Sequence, residues 1–136
     1  MTDSTQNEKT VFSISFLKKR PDITHEQFYN HWENVHGPLV KPWMEKHGFV
    51  SYTQVHSTPD IKSASKPIGP ETKSHNVLQD YDGAAVIEVK SPEVFTAAFA
   101  DEYYQTVIAE DEKHFLDKTA GVLRMRGDSK KILKAL

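Results

Sequence analysis

Four side chains along the sequence are suited to proton transfer: His36, Tyr52, His56 and Asp82. Imidazole titrates nearest to neutral pH, so His36 and His56 are candidates for a general acid and a general base. A phenol such as Tyr52 can donate a proton, and a carboxylate such as Asp82 can orient an imidazole. We therefore predict these four residues as the catalytic set, acting by acid–base chemistry on an apolar substrate; simple binding is the competing interpretation.

Other reaction classes find little support in the sequence. The chain has no cysteine, which excludes thiol nucleophiles and Cys-type zinc sites. It also has no nucleophile elbow, no glycine-rich phosphate loop and no tight metal-ligand spacing. His31 and His36 are five residues apart, about 500° around an α-helix, so they should not share a face as metal ligands would. We predict neither a metal nor a cofactor, and we interpret Asp111 and Glu112 as part of a solvated helix face.

The element that would position His36 is a helix opening at Thr24. Thr24 and Gln27 have the spacing of a capping box, and an apolar stripe follows them at helical intervals. Gly37 and Pro38 are predicted to end this helix. That places His36 at the helix C-terminus, where the dipole favours the imidazolium and raises its pKa. A histidine that only caps carbonyls is the alternative.

The remaining candidates lie on predicted strands. Residues 10–17, 49–56, 81–89 and 119–125 alternate or are β-rich, and a second helical stretch follows Pro92. Tyr52, Gln54 and His56 fall on one face of the second strand, where they would be convergent polar groups of a small-molecule pocket. Substrate contacts are assigned to the aromatic and amide side chains Phe16, Trp32, Gln54 and Tyr104.

The predicted order of elements is β-α-β-β-α-β, which is an α+β ferredoxin-like fold. Helices on one face leave the opposite sheet face uncovered, and pairing with a second copy in a two-fold dimer is the commonest way to bury it. We expect a disordered lead at 1–10, one domain at 11–127 and a polar tail at 128–136. The connection at 57–80 is long enough to suggest a functional loop.

The net charge and composition limit the classes of molecule that the chain is expected to bind. The net charge of −2 gives no field that would attract nucleic acid. No apolar run approaches the roughly 20 residues of a membrane span. We expect a cytoplasmic protein whose partners are a small molecule and a second copy of itself, with no role for nucleic acid or membrane.

The segment 16–40, FLKKRPDITHEQFYNHWENVHGPLV, resembles the signature of the EthD-domain family, in which a strand ending in Lys-Arg-Pro precedes a Phe-x-x-x-Trp helix and His-Gly-Pro-Leu. The segments 48–56 and 101–117 are also similar to that family. The resemblance implies a dimeric α+β barrel and carries the family's histidine position onto His36. Residues 57–80 resemble the family's variable region, where substrate choice would lie.

The resemblance is closest to fungal members found beside aromatic polyketide pathways, which are decarboxylases or dehydratases. It therefore implies a cofactor-independent lyase, a decarboxylase or a dehydratase/cyclase, acting on an aromatic polyketide-type intermediate of secondary metabolism. Two alternatives remain open from the residues. One is a cofactor-free monooxygenase of the dimeric barrel class, and the other is a non-catalytic small-molecule-binding module.

Overall fold

The computed structural model describes residues 9–64 and 81–135. Most of the predicted lead at 1–10 and most of the connection at 57–80 lie outside the described residues. From that connection the structure describes one short helix, α3 (Pro59–Ala64).

Four antiparallel strands form the single sheet of the described residues: β1 (Val11–Leu17), β2 (Ser51–His56), β3 (Gly83–Val89) and β4 (Leu123–Asp128). Their order across the sheet is β2-β3-β1-β4. With helices between β1 and β2 and between β3 and β4, this is the predicted ferredoxin-like arrangement, which is confirmed. The last strand begins at Leu123 rather than at residue 119.

The first helical segment begins as predicted and ends later than predicted. The hydroxyl of Thr24 accepts from the backbone N–H of Gln27, and the Gln27 side chain accepts from the N–H of Thr24, so both halves of the capping box are formed. From there α1 (His25–His31) leads through a first π-helical turn (Trp32–His36) into α2 (Gly37–Lys46).

The prediction that Gly37 and Pro38 end this helix was wrong. Gly37 has right-handed helical dihedrals, and its N–H bonds to the carbonyl of Trp32, five residues back. Pro38 falls in the first turn of α2, where a missing N–H does the least harm because the wide turn before it has already broken the regular ladder. The chain leaves the helix at Gly48, whose φ of 71° suits glycine.

The second helical segment follows β3. It consists of α4 (Pro92–Ala100), a second π-helical turn (Tyr104–Ile108) and α5 (Ala109–Glu112), before the chain returns to β4. The predicted helical stretch through Tyr104 and Ile108 is therefore present. Both helical segments pack on the same face of the sheet, which we call the inner face.

Two apolar clusters fill the space between the helices and the inner face. One consists of Leu17, Phe28, Trp32, Phe115 and Leu116. The other consists of Val40, Trp43, Met44, Ala98 and Ile108. Because side chains alternate along a strand, Phe12, Ile14 and Phe16 point away from these clusters, onto the outer face of the sheet. Val55, Leu123 and Met125 are exposed on that same face.

Candidate active site

A cavity opens between the two apolar clusters, with the inner face of the sheet as its floor. Its cavity volume, measured as the room for the centres of water-sized molecules, is about 80 Å³. Its walls are largely aromatic, with Trp32, Trp43, Phe95, Phe99 and Phe115 among them. Seven polar side chains also line it: Ser13, Ser15, His36, Tyr52, Tyr104, Glu112 and Arg124. An apolar cavity with a few polar groups is the usual composition of a small-molecule site.

His36 is held in this cavity by a buried carboxylate. Its Nδ1 lies 2.9 Å from Oδ2 of Asp111 on α5, and both residues are less than 10% exposed. An ionised carboxylate can only accept, so Nδ1–H donates to it and Nε2 is left as the basic nitrogen. Nε2 of His36 has no hydrogen-bond partner among the described residues. Every fully buried side-chain nitrogen or oxygen of those residues does have a partner, so Nε2 is not fully buried. It follows that Nε2 is open to the cavity.

The first π-helical turn explains why a second histidine reaches the same carboxylate. His31 Nε2 lies 3.0 Å from Oδ1 of Asp111. A π-turn closes with a hydrogen bond to the fifth residue back and is wider than an α-turn, so residues five apart, such as His31 and His36, lie closer to one face than in a regular α-helix. The prediction that His31 and His36 do not share a face was therefore wrong, because it assumed a regular α-helix. The interpretation of Asp111 as a solvated residue was also wrong, because Asp111 is only 9% exposed.

Burial sets the protonation of His36. Removal from water lowers the pKa of His36 below its ordinary value, while the hydrogen bond to Asp111 opposes that shift. The predicted rise from a helix C-terminus does not apply, because His36 lies inside a continuous helix. His36 is therefore mainly neutral at pH 7.

A chain of hydrogen bonds from β2 orients Tyr52 on the cavity wall. His56 Nε2–H donates to Oε1 of Gln54 at 2.8 Å, and Gln54 Nε2 donates to the Tyr52 hydroxyl and to the Trp32 carbonyl, each at 2.9 Å. Because the hydroxyl oxygen of Tyr52 accepts from Gln54, its own proton is available to a ligand. Burial raises the pKa of Tyr52, which keeps the phenol protonated.

His56 and Gln54 lie behind Tyr52 and do not line the cavity. The His56 ring stacks on Trp32 and Tyr29, with centroids 4.8 and 4.9 Å away. Burial lowers the pKa of His56, so it too is neutral near pH 7. His56 and Gln54 are thus linked to the cavity only through Tyr52, and the roles predicted for them stay predictions.

Tyr104 also lines the cavity. Its ring stacks on Trp43 at 5.3 Å, and its hydroxyl donates to Glu112 at 3.4 Å. Burial, together with the charge of Glu112, raises the pKa of Tyr104 to about 12. Lys118 also binds Glu112. Trp32 lines the cavity as well, and the contact of Tyr104 and Trp32 with a bound ring stays a prediction.

Two predicted site residues lie elsewhere. Phe16 is on the outer face of β1 and packs edge-on against Tyr81. Asp82 does not line the cavity that contains His36. Its carboxylate accepts from the backbone N–H of Lys19 at 2.9 Å and lies 3.3 Å from His25, at the rim of a separate depression. Asp82 therefore stabilises the junction after β1 and cannot orient His36.

Asp111, the carboxylate that holds His36, was not among the predicted site residues. Asp111 is far from His36 in sequence and sits in an acidic run, which disguised it. One sequence feature could have indicated that two histidines share a carboxylate, namely their five-residue spacing directly before Gly37 and Pro38. Three further residues of the cavity floor were not predicted as site residues either: Ser13, Ser15 and Arg124.

Across residues 9–64 and 81–135, no group of three His, Asp or Glu side chains is arranged to hold a metal ion. Within those same ranges no helix is both long and apolar enough to cross a membrane.

Several proteins resemble this chain in sequence. Dehydratase ustZ of Ustilaginoidea virens is 29% identical over 99 residues, covering 73% of this chain and 69% of that protein. Dehydratase CTB10 of Cercospora beticola is 29% identical over 113 residues, covering 83% and 84%. Decarboxylase claH of Passalora fulva is 28% identical over 100 residues, covering 73% and 63%.

Solved structures share the fold. An ethyl tert-butyl ether d (EthD) family protein from Bacillus halodurans superposes with a TM-score of 0.56 at 15% identity, covering 89% of this chain and 99% of that one. A dimeric protein of unknown function and ferredoxin-like fold from Bacteroides fragilis gives 0.52 at 10% identity, covering 90% and 96%. The EthD domain model itself matches residues 20–119. The chain therefore belongs to the EthD-domain family.

Proposed function

We propose that this chain is a lyase that dehydrates a β-hydroxy ketone of aromatic polyketide type, with its own side chains as acid and base and without a cofactor. One observation carries the proposal: a buried His36 donates Nδ1–H to Asp111 and turns an unpartnered Nε2 into the cavity that Tyr52 also lines. Relatives named as dehydratases and decarboxylases support a reaction of this class.

In the proposed reaction, neutral His36 removes a proton from the carbon between the ketone and the carbinol. The electron pair moves into the ketone, and the Tyr52 hydroxyl stabilises the enolate oxygen by donating a hydrogen bond. When the enolate collapses, the β-hydroxyl leaves and takes the proton from Nε2, so water is released and His36 returns to its neutral form. Asp111 stabilises the intermediate imidazolium and keeps the ring in one orientation.

Decarboxylation is the second reaction that the site could perform. Loss of CO₂ from a β-keto acid would leave the same enolate on Tyr52, but carbon would then need a proton from an acid. Burial lowers the pKa of His36, so the imidazolium that this step requires is scarce at neutral pH. For this reason we place dehydration first.

The outer face of the sheet supports the proposal that the protein is a homodimer. The outer face of the sheet is apolar, with Phe12, Ile14 and Phe16 in its centre and Leu123 and Met125 exposed beside them. Monomeric proteins rarely leave an apolar patch of that kind in water. A cytoplasmic homodimer with the two outer faces in contact would bury this apolar surface. Light scattering that gives the monomer mass at micromolar concentration would refute the homodimer.

The reaction is tested by incubating purified protein with candidate polyketide intermediates while water loss is followed by mass spectrometry and CO₂ and O₂ are followed by electrode. Water loss without gas exchange is the expected result. Release of CO₂ would instead assign decarboxylation, and uptake of O₂ would assign a cofactor-free monooxygenase. No turnover of any candidate, with tight binding of one, would assign a binding module.

A further inference from the structure

The floor of the cavity carries hydrogen-bond donors that the proposed reaction does not use. Ser13 and Ser15 project from β1 onto the inner face and are 3% and 7% exposed. Arg124 lies opposite Ser15 on the neighbouring strand β4, and its Nε–H donates to the Ser15 hydroxyl at 2.9 Å. All three side chains line the cavity. They form a polar strip in a space whose walls are mainly aromatic.

Each member of this strip has a donor left over. The Ser13 hydroxyl has no hydrogen-bond partner among the described residues. The Ser15 oxygen accepts from Arg124, so its own proton is free to donate. The two terminal nitrogens of Arg124 bind no carboxylate within 9–64 and 81–135; the acid that shares the cavity, Glu112, is bound by Lys118 and Tyr104.

The neighbouring arginine on the same strand shows that this arrangement is particular to Arg124. Arg126 is opposite Ser13 in register, yet its guanidinium lies over the Phe95 ring at 4.4 Å. A cation over an aromatic face is partly satisfied by the ring. Arg126 also does not line the cavity, so the charge open to a ligand is that of Arg124.

We propose that Ser13, Ser15 and Arg124 form a carboxylate-binding subsite, so that the ligand is an aromatic acid and not a neutral ring. Guanidinium and hydroxyl donors suit a carboxylate. Arg124 lies on an exposed strand and also lines the cavity, so its guanidinium can be reached by a ligand. The carboxylate subsite depends on the proposed function in one respect only, which is the aromatic ring assigned to the ligand.

The subsite also bears on the choice of reaction. CO₂ loss requires the negative charge of the carboxylate to move into the carbon skeleton. A guanidinium beside that carboxylate stabilises the charge where it starts and so opposes the loss. The carboxylate on Arg124 is therefore an anchor that survives the reaction, which agrees with dehydration.

The test uses a pair of probes that differ only in charge, 2-naphthoate and 2-naphthamide, titrated by calorimetry into the full chain. The wild-type protein should prefer the naphthoate. In Arg124→Gln that preference should fall by about 10-fold or more, since a charge-assisted hydrogen bond is lost, while naphthamide binding stays the same. Arg126→Gln, which removes an equal charge from the same strand, should keep the preference within about twofold.

Three results would overturn the subsite: equal binding of the two probes by wild type, equal losses in the Arg124 and Arg126 variants, or no binding of naphthoate at millimolar concentration. Ser15→Ala is a second variant, and it should lose several-fold in naphthoate binding because Arg124 loses its acceptor. Thermal unfolding checks that each variant is folded. The measurement needs no turnover, so a failure of the lyase reaction and a failure of the subsite are seen separately.

Discussion

Asp111 offers a sharp test because two imidazoles share its two oxygens. His36 Nδ1 and His31 Nε2 lie 2.9 and 3.0 Å from this carboxylate, which is 9% exposed. Asp111→Asn preserves the size of the side chain but replaces one acceptor oxygen with an NH₂ donor. Two N–H groups then compete for one amide oxygen, and the imidazole that faces the NH₂ must accept instead of donate. When that imidazole is His36, its proton moves to Nε2 and the base is lost.

The size of the effect follows from this tautomer change. Loss of a general base costs about 10²–10⁴ in rate, and an Asp→Asn change that traps the wrong histidine tautomer in serine proteases costs about 10⁴. We therefore expect kcat/KM to fall by about 10²–10³, since only part of the molecules present the NH₂ to His36. Weaker hydrogen bonds to the two imidazoles should lower the free energy of unfolding by about 1–3 kcal/mol.

The assay combines turnover with ¹⁵N NMR of the imidazoles, which reports the tautomer without any substrate. Wild type should show His36 protonated at Nδ1, and Asp111→Asn should show a shift towards Nε2. The matched variant is Asp111→Asn with His31→Leu, in which the amide oxygen is free to turn to His36 and activity should partly return. His31→Leu alone should leave the tautomer unchanged. A folded Asp111→Asn protein with wild-type kcat/KM and Nδ1–H would refute the reasoning.

Three further outcomes are expected. Because the pKa of His36 in the folded protein lies below its unfolded value of 6.5, the stability that neutral His36 contributes is complete above pH 6.5 and is lost as the pH falls. We expect kcat/KM to decline over the same acidic range. A rate that instead rises in acid would identify the imidazolium as the active form. Tyr52→Phe should lower kcat by about 10²–10³ with KM little changed, because the donor acts on the enolate; a loss confined to KM would contradict this. Gly83→Ala should destabilise the fold by about 1–3 kcal/mol, since its Cβ would lie 2.6 Å from Trp32 and 2.7 Å from a backbone oxygen. Gly127→Ala, which meets nothing within 4 Å, is the control, and equal thermal midpoints for the two variants would show that the sheet yields at Gly83.

The sequence by itself determined the elements and their order, because those depend on interactions between near neighbours. The capping box at Thr24 and Gln27 forms as the spacing predicts. The alternation of Tyr52 and Gln54 along β2 sets them on one face, and the family signature around His36 is readable without coordinates. A period of two or 3.6 residues needs no tertiary information.

Only the tertiary structure decided how His36 is used. Gly37 and Pro38 look like a helix end, yet packing of α2 over the sheet carries the helix on through a π-turn, which rotates His31 and His36 onto the same carboxylate. Asp111 is 75 residues from His36 in sequence. The pairing of Ser15 with Arg124 likewise depends on β4 joining β1. Burial and long-range pairing arise when distant segments of the chain meet, so local sequence patterns cannot predict them.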